Sequence, residues 1–90
     1  MHLRGIVQAA SLDENPPGSD TIEMTLRLQG VGPGQPRKAV IPYAMLLGDD
    51  SLNPDTIVGR AFEAEVEQDD QKRWLVFRIA FASRVLRAPD

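Results

Sequence analysis

Thr21-Ile22-Glu23-Met24-Thr25-Leu26-Arg27-Leu28-Gln29 alternates polar and apolar side chains without a break. A period of two is the mark of a strand with one face buried and one face wet. Ile22, Met24, Leu26 and Leu28 fall on the face expected to be buried. Thr21, Glu23, Thr25, Arg27 and Gln29 fall on the wet face.

Toward the C-terminus, Gly30-Val31-Gly32-Pro33-Gly34-Gln35-Pro36 breaks the pattern. It reads as a hairpin connection into a short strand over residues 37–41, which Pro42 ends. Toward the N-terminus lies a second breaker cluster, Asp13-Glu14-Asn15-Pro16-Pro17-Gly18-Ser19-Asp20. It separates a strand over residues 2–12, whose buried face holds Leu3, Gly5, Val7 and Ala9. Gly5 marks a place where that strand bends.

Alternation resumes at Ala61-Phe62-Glu63-Ala64-Glu65-Val66-Glu67, with Phe62, Ala64 and Val66 inward and three glutamates outward. Asp69-Asp70-Gln71-Lys72 makes a polar turn, and Trp74-Leu75-Val76-Phe77-Arg78-Ile79-Ala80-Phe81 returns as a strand. Strict alternation places Leu75, Phe77, Ile79 and Phe81 in the core, leaving Trp74, Val76 and Ala80 on the opposite face. Between the third and fourth strands the pattern changes. Pro42 suits a first helical position and Gly48 a left-handed helix stop. Asn53 followed by Pro54 reads as an N-cap opening a second turn.

Five short strands with a helical piece between the third and fourth resemble the order of elements in an OB-fold, a five-stranded Greek-key barrel. An SH3-like barrel or a small sandwich accepts the same elements. The expected fold is therefore all-β, a single small barrel domain over residues 1–90. Closing the sheet removes edges that a small open sheet would leave unprotected.

The 90 residues are 42% hydrophobic and 26% charged, with no cysteine and a single histidine, His2. That excludes disulfides, thiolate ligands and thiol nucleophiles, and leaves no Ser-His-Asp arrangement to assemble. Ser11, Ser19, Ser51 and Ser83 lie in no Gly-x-Ser-x-Gly elbow. Glu63, Glu65 and Glu67 sit about 6.7 Å apart along one strand face, too spread to wrap a hard cation. The glycines at 30, 32 and 34 have neither phosphate-loop spacing nor a helix behind them. No enzyme activity, metal or cofactor is expected.

No stretch has the run of apolar residues that a membrane span needs, and no signal peptide is visible, so a cytoplasmic location is the default. The net charge of −3 opposes non-specific binding to nucleic acid or anionic membrane. Two binding readings remain. Trp74, Val76 and Ala80 would form an apolar patch for a protein partner or a second copy, unless the helical turns or the tail cover them. The tail Ser83-Arg84-Val85-Leu86-Arg87 would prolong the fifth strand. The alternative is weak binding of single-stranded nucleic acid on strands one to three, which needs Arg4, Arg27 and Arg37 to converge. A protein-association module is the preferred expectation. On these face assignments, Phe77→Ala removes a buried aromatic and costs about 3–5 kcal/mol.

Overall fold

Each of the five runs read as strands forms one. The structure, a computed structural model, describes residues 1–14, 18, 21–49 and 51–82. The elements are β1 (His2–Glu14), β2 (Ile22–Gln29), β3 (Lys38–Ile41), α1 (Tyr43–Gly48), α2 (Pro54–Ile57), β4 (Ala61–Gln68) and β5 (Trp74–Phe81). They close into a barrel of order β1-β2-β3-β5-β4. All neighbours are antiparallel except β3 and β5, which run parallel through the single pair Val40↔Leu75. This is the five-stranded Greek-key arrangement, with the helical turns inserted between β3 and β4. The SH3-like and sandwich alternatives fall away.

Barrel closure is carried by β1, which pairs through residues 2–6 with β4 and through residues 6–14 with β2. A Cβ on Gly5 would lie 2.5 Å from the carbonyl oxygen of Gln29, so only glycine lets the two strands approach this closely. A register shift after Val7 leaves Gln8 unpaired as a bulge. Beyond it the phase of β1 changes, and Ala10, not Ala9, pairs with the buried Leu26.

Met24, Leu26 and Leu28 of β2 are buried, as their alternation requires. Ile22 is not a core residue: it is 36% exposed because the β1–β2 hairpin runs on past the barrel, where Ile22 pairs with Glu14 and no strand faces it. Asn53 caps α2, its Oδ1 accepting from the Asp55 N–H at 2.8 Å. Pro42 precedes α1 as its N-cap, one position before the expected one, and Gly48 is the helix's last residue with Asp49 as C-cap, so it is not the left-handed stop expected of it. Leu52 and Ile57 from this connection are buried in the core, while Leu46 packs on its margin.

The main correction falls in β5. The β4–β5 register shifts between Glu65 and Val66, so that Val66 pairs with Val76 while Glu65 pairs with Arg78. Phe77 is the extra residue of a bulge, and a bulge places two consecutive side chains on the side of one opposing residue. Phe77 and Arg78 therefore both point outward across from Glu65. Val76 is buried at 1% exposure and Phe77 is 54% exposed, the reverse of strict alternation. Past the bulge the phase is restored, and Ile79 and Phe81 again pack against the core. Leu75, expected in the core, is half-buried on the outer face beside Val40.

Among the described residues the interior holds no polar or charged side chain. The expected stability ranking changes accordingly. Leu26→Ala opens a cavity in the core and should cost about 2–5 kcal/mol in urea unfolding, whereas Phe77→Ala should cost no more than about 1 kcal/mol. A large loss at Phe77 would place the ring in the core after all.

Candidate functional site

The surface beside the bulge is assembled from four strands. Outward positions follow from register: Thr25 of β2 pairs with Val40 of β3, Val40 with Leu75 of β5, and Leu75 with Glu67 of β4. Arg27 and Lys38 pair on the basic side of this row. Phe77 and Arg78 lie on its other side, opposite Glu65. Along the β3–β5 seam the apolar side chains are the exposed Phe77, the half-buried Leu75 and Val40, which its own chain largely covers. Carboxylates on β4 lie on one side of the seam, together with the exposed Arg78, while Arg27 of β2 lies on the other and Lys38 is on β3 itself.

The β4–β5 turn fixes one end of the seam. Asp69 accepts from the backbone N–H groups of Gln71 and Arg73 at 2.9 and 2.8 Å, and from Arg73 Nε at 2.9 Å. Arg73 also donates from Nη1 to Glu23 at 2.9 Å, tying the turn across to β2. Lys72 sits at φ +63° so that the chain can reverse. Between this turn and the β2–β3 face is a groove of about 320 Å³, lined by Val40, Trp74, Lys38 and Lys72 among others.

The residues expected to bind a protein are divided by the bulge. Ala80 is exposed, Trp74 is half-buried with its ring packed on the core, and Val76 lies inside. Val76 therefore cannot meet a partner, because the phase of β5 changes one residue after it. Phe77, assigned to the core by alternation, is the aromatic on the surface. Nothing in the residue types marked that bulge.

The three arginines proposed for nucleic acid do not converge. Arg4 pairs with Glu63 at 3.2 Å on the β1–β4 side. Arg27 stands opposite Ala9, five residues further along β1, about 16 Å from Arg4. Arg37 precedes β3 near Gly30 and Val31. The fold instead gathers Arg27 with Lys38, and brings Lys72 to the adjoining groove.

Elsewhere, a cleft of about 510 Å³ lies between the ends of β4 and β5, over Phe62 and Phe81. Arg4, which lines it, pairs with Glu63, and the neighbouring Arg60 stacks on Phe81 at 5.3 Å and donates to the Ala82 carbonyl at 2.9 Å. Among the described residues no three His, Cys, Asp or Glu side chains come together as a metal site, and no helix is long and apolar enough to cross a membrane. The tail from 83 to 87, expected to prolong β5, lies outside the described residues.

Asp49, Glu65 and Asp69 all have carboxyls held below their ordinary values. The Ser51 hydroxyl and N–H lower Asp49, and the His2 ring lowers Glu65 by hydrogen bonding to it. At Asp69 desolvation works against the charged form, but hydrogen bonds from Arg73 and Gln71 outweigh it. General acid–base work wants a carboxyl raised toward neutrality, the opposite direction. A depressed carboxylate contributes stability above its ordinary value that is lost as pH falls through its folded value. Lowering pH through the carboxylate range should therefore reduce the urea midpoint. Asp69→Asn should lower the midpoint at neutral pH and flatten its acid dependence, with Glu65 retaining part of it. An unchanged profile would show that the turn is held without that carboxylate.

No protein-family model matches the chain, and no curated protein or solved structure matches it.

Proposed function

We propose that the chain is a non-enzymatic binding module for association with protein, and that its contact surface is the outer face of β3 and β5 around Phe77. The observation that carries this reading is the exposed Phe77, 54% accessible and set beside Leu75 and Val40 by the bulge. Covering the exposed part of a phenylalanine is worth roughly 2–3 kcal/mol, the size of an interface hot spot. The surface is pre-formed on paired strands, so a partner meets little ordering cost.

A photoreactive phenylalanine analogue at position 77 tests this in living cells. Illumination should give discrete protein adducts from position 77 and not from Leu47, although Leu47 is the more exposed at 66%. Adducts from position 47 alone, or from neither, would end the proposal.

A second reading draws on Arg27, Lys38 and Lys72 beside the groove that Trp74 lines. Cations with an aromatic suit a single nucleic-acid strand, against the net charge of −3. It requires that a labelled oligothymidine gain anisotropy at low salt, and that the gain vanish at high salt and in Lys38→Glu. No gain at low salt would remove it.

A further inference from the structure

We infer that the groove between the β4–β5 turn and the β2–β3 face takes a small aromatic phosphate monoester, with the ring against Trp74 and the phosphate between Lys38 and Lys72. This goes beyond both readings above, since it needs neither the Phe77 surface nor a nucleic-acid strand.

The groove has an apolar floor and a charged rim. Ala39 and Val40 are buried beneath it, and the half-buried Trp74 lines it while also packing on the core. The indole N–H is not buried and has no hydrogen-bond partner among the described residues. At about 320 Å³ the groove suits a small molecule, and ligand sites are commonly apolar with a few placed polar groups. Glu23 is the carboxylate on the rim, and Arg73 takes up both it and Asp69 at 2.9 Å. Lys38 and Lys72 are exposed and make no ion pair among the described residues. Two uncommitted ammonium groups match a phosphate monoester, which carries about −1.5 to −2 at neutral pH. A carboxylate or a phosphodiester, with one charge, would leave a lysine unmatched.

Lys72 points the same way through its backbone. Among the described residues it is the one non-glycine at positive φ, at +63°. Glycine or asparagine would close this turn with less strain. The turn uses only its main chain: the Lys72 N–H donates to the Asp69 carbonyl at 3.0 Å, and Gln68 Nε2 donates to the Lys72 carbonyl at 3.4 Å. The turn therefore does not require the lysine side chain, and such strained positions cluster where ligands are held.

Trp74 is the only tryptophan in the chain, so its fluorescence reports on this groove. Adenosine monophosphate and phenyl phosphate, titrated at low salt, supply the phosphate on a purine nucleoside and on a simple phenol. At least one should change the emission saturably and shift the backbone amides of Lys38, Lys72 and Trp74 over the same range; the tighter one identifies the ring. Adenosine and inorganic phosphate should each bind at least about tenfold more weakly, because each lacks half of the match. Lys38→Gln and Lys72→Gly should each raise the dissociation constant about fivefold, as loss of one exposed charge contact would. Lys72→Gly should do so without lowering the urea midpoint, since glycine suits that φ. A lysine kept for the turn would lose stability instead and leave binding unchanged. No saturable change with either ester overturns the inference, as does a response matched by adenosine or by inorganic phosphate, or binding indifferent to both variants. If oligothymidine binds while neither ester does, this inference fails and the strand reading stands.

Discussion

Closing a barrel from five short strands requires one strand to belong to two sheets at once, and β1 does so at Gly5. There the chain leaves its ladder with β4 and enters its ladder with β2, so close to Gln29 that a methyl group would overlap its carbonyl oxygen. Everything else follows from the curvature this demands. Tightly coiled strands shed curvature through bulges, which bend the strand and increase its twist. The bulge at Gln8 lies just beyond the crossover, and the one at Phe77 lies across the barrel in β5. The device that lets the sheet close is the same one that turns an aromatic ring outward.

Periodicity made most of the fold legible. Where a strand keeps a single phase, as β2 does from Met24 to Leu28 and β4 from Phe62 to Val66, alternation identified the buried side chains correctly. The element order sufficed for the barrel because few topologies connect five such strands with a helical insertion after the third. What alternation could not show was a change of phase. Trp74 to Phe81 is apolar on both faces apart from Arg78, so shifting its second half by one residue leaves a pattern equally hydrophobic on either face. A polar residue at 76 or 77 would have fixed the phase. Leu52 and Ile57 escaped notice for a different reason: they lie in a connection whose turns are too short to show a period.

The candidate site was less legible than the fold, and for a related reason. Site residues are defined by which neighbours register brings together, and register depends on bulges. Arg4 and Arg27 lie on the first two strands, yet Arg27 stands opposite Ala9, five positions along β1 from Arg4, and Arg4 pairs toward β4 instead. Lys38 adjoins Arg27 only because β3 pairs at that level. Lys72 reaches the neighbouring groove because the Asp69 turn, tied by Arg73 to Glu23, folds back over β2. Each of these contacts joins residues more than ten positions apart or depends on one that does.

The bulge explains why a side chain points outward at position 77, but it does not explain why that side chain is phenylalanine. An outward bulge position accepts any L-residue, and a polar one would give the same backbone bend without leaving an aromatic ring in water. Barrel closure therefore supplies a geometric reason for the position and none for the residue. Phe77 adds little to the isolated fold and enlarges the apolar surface beside Leu75, which favours association whenever a complementary surface is present. Val40 makes the contrast clear. It too lies on the outer face, yet it is 7% exposed because side chains of the same chain cover it. Phe77 has no such cover among the described residues and stays 54% exposed, so the choice of an aromatic there is not explained by packing within them.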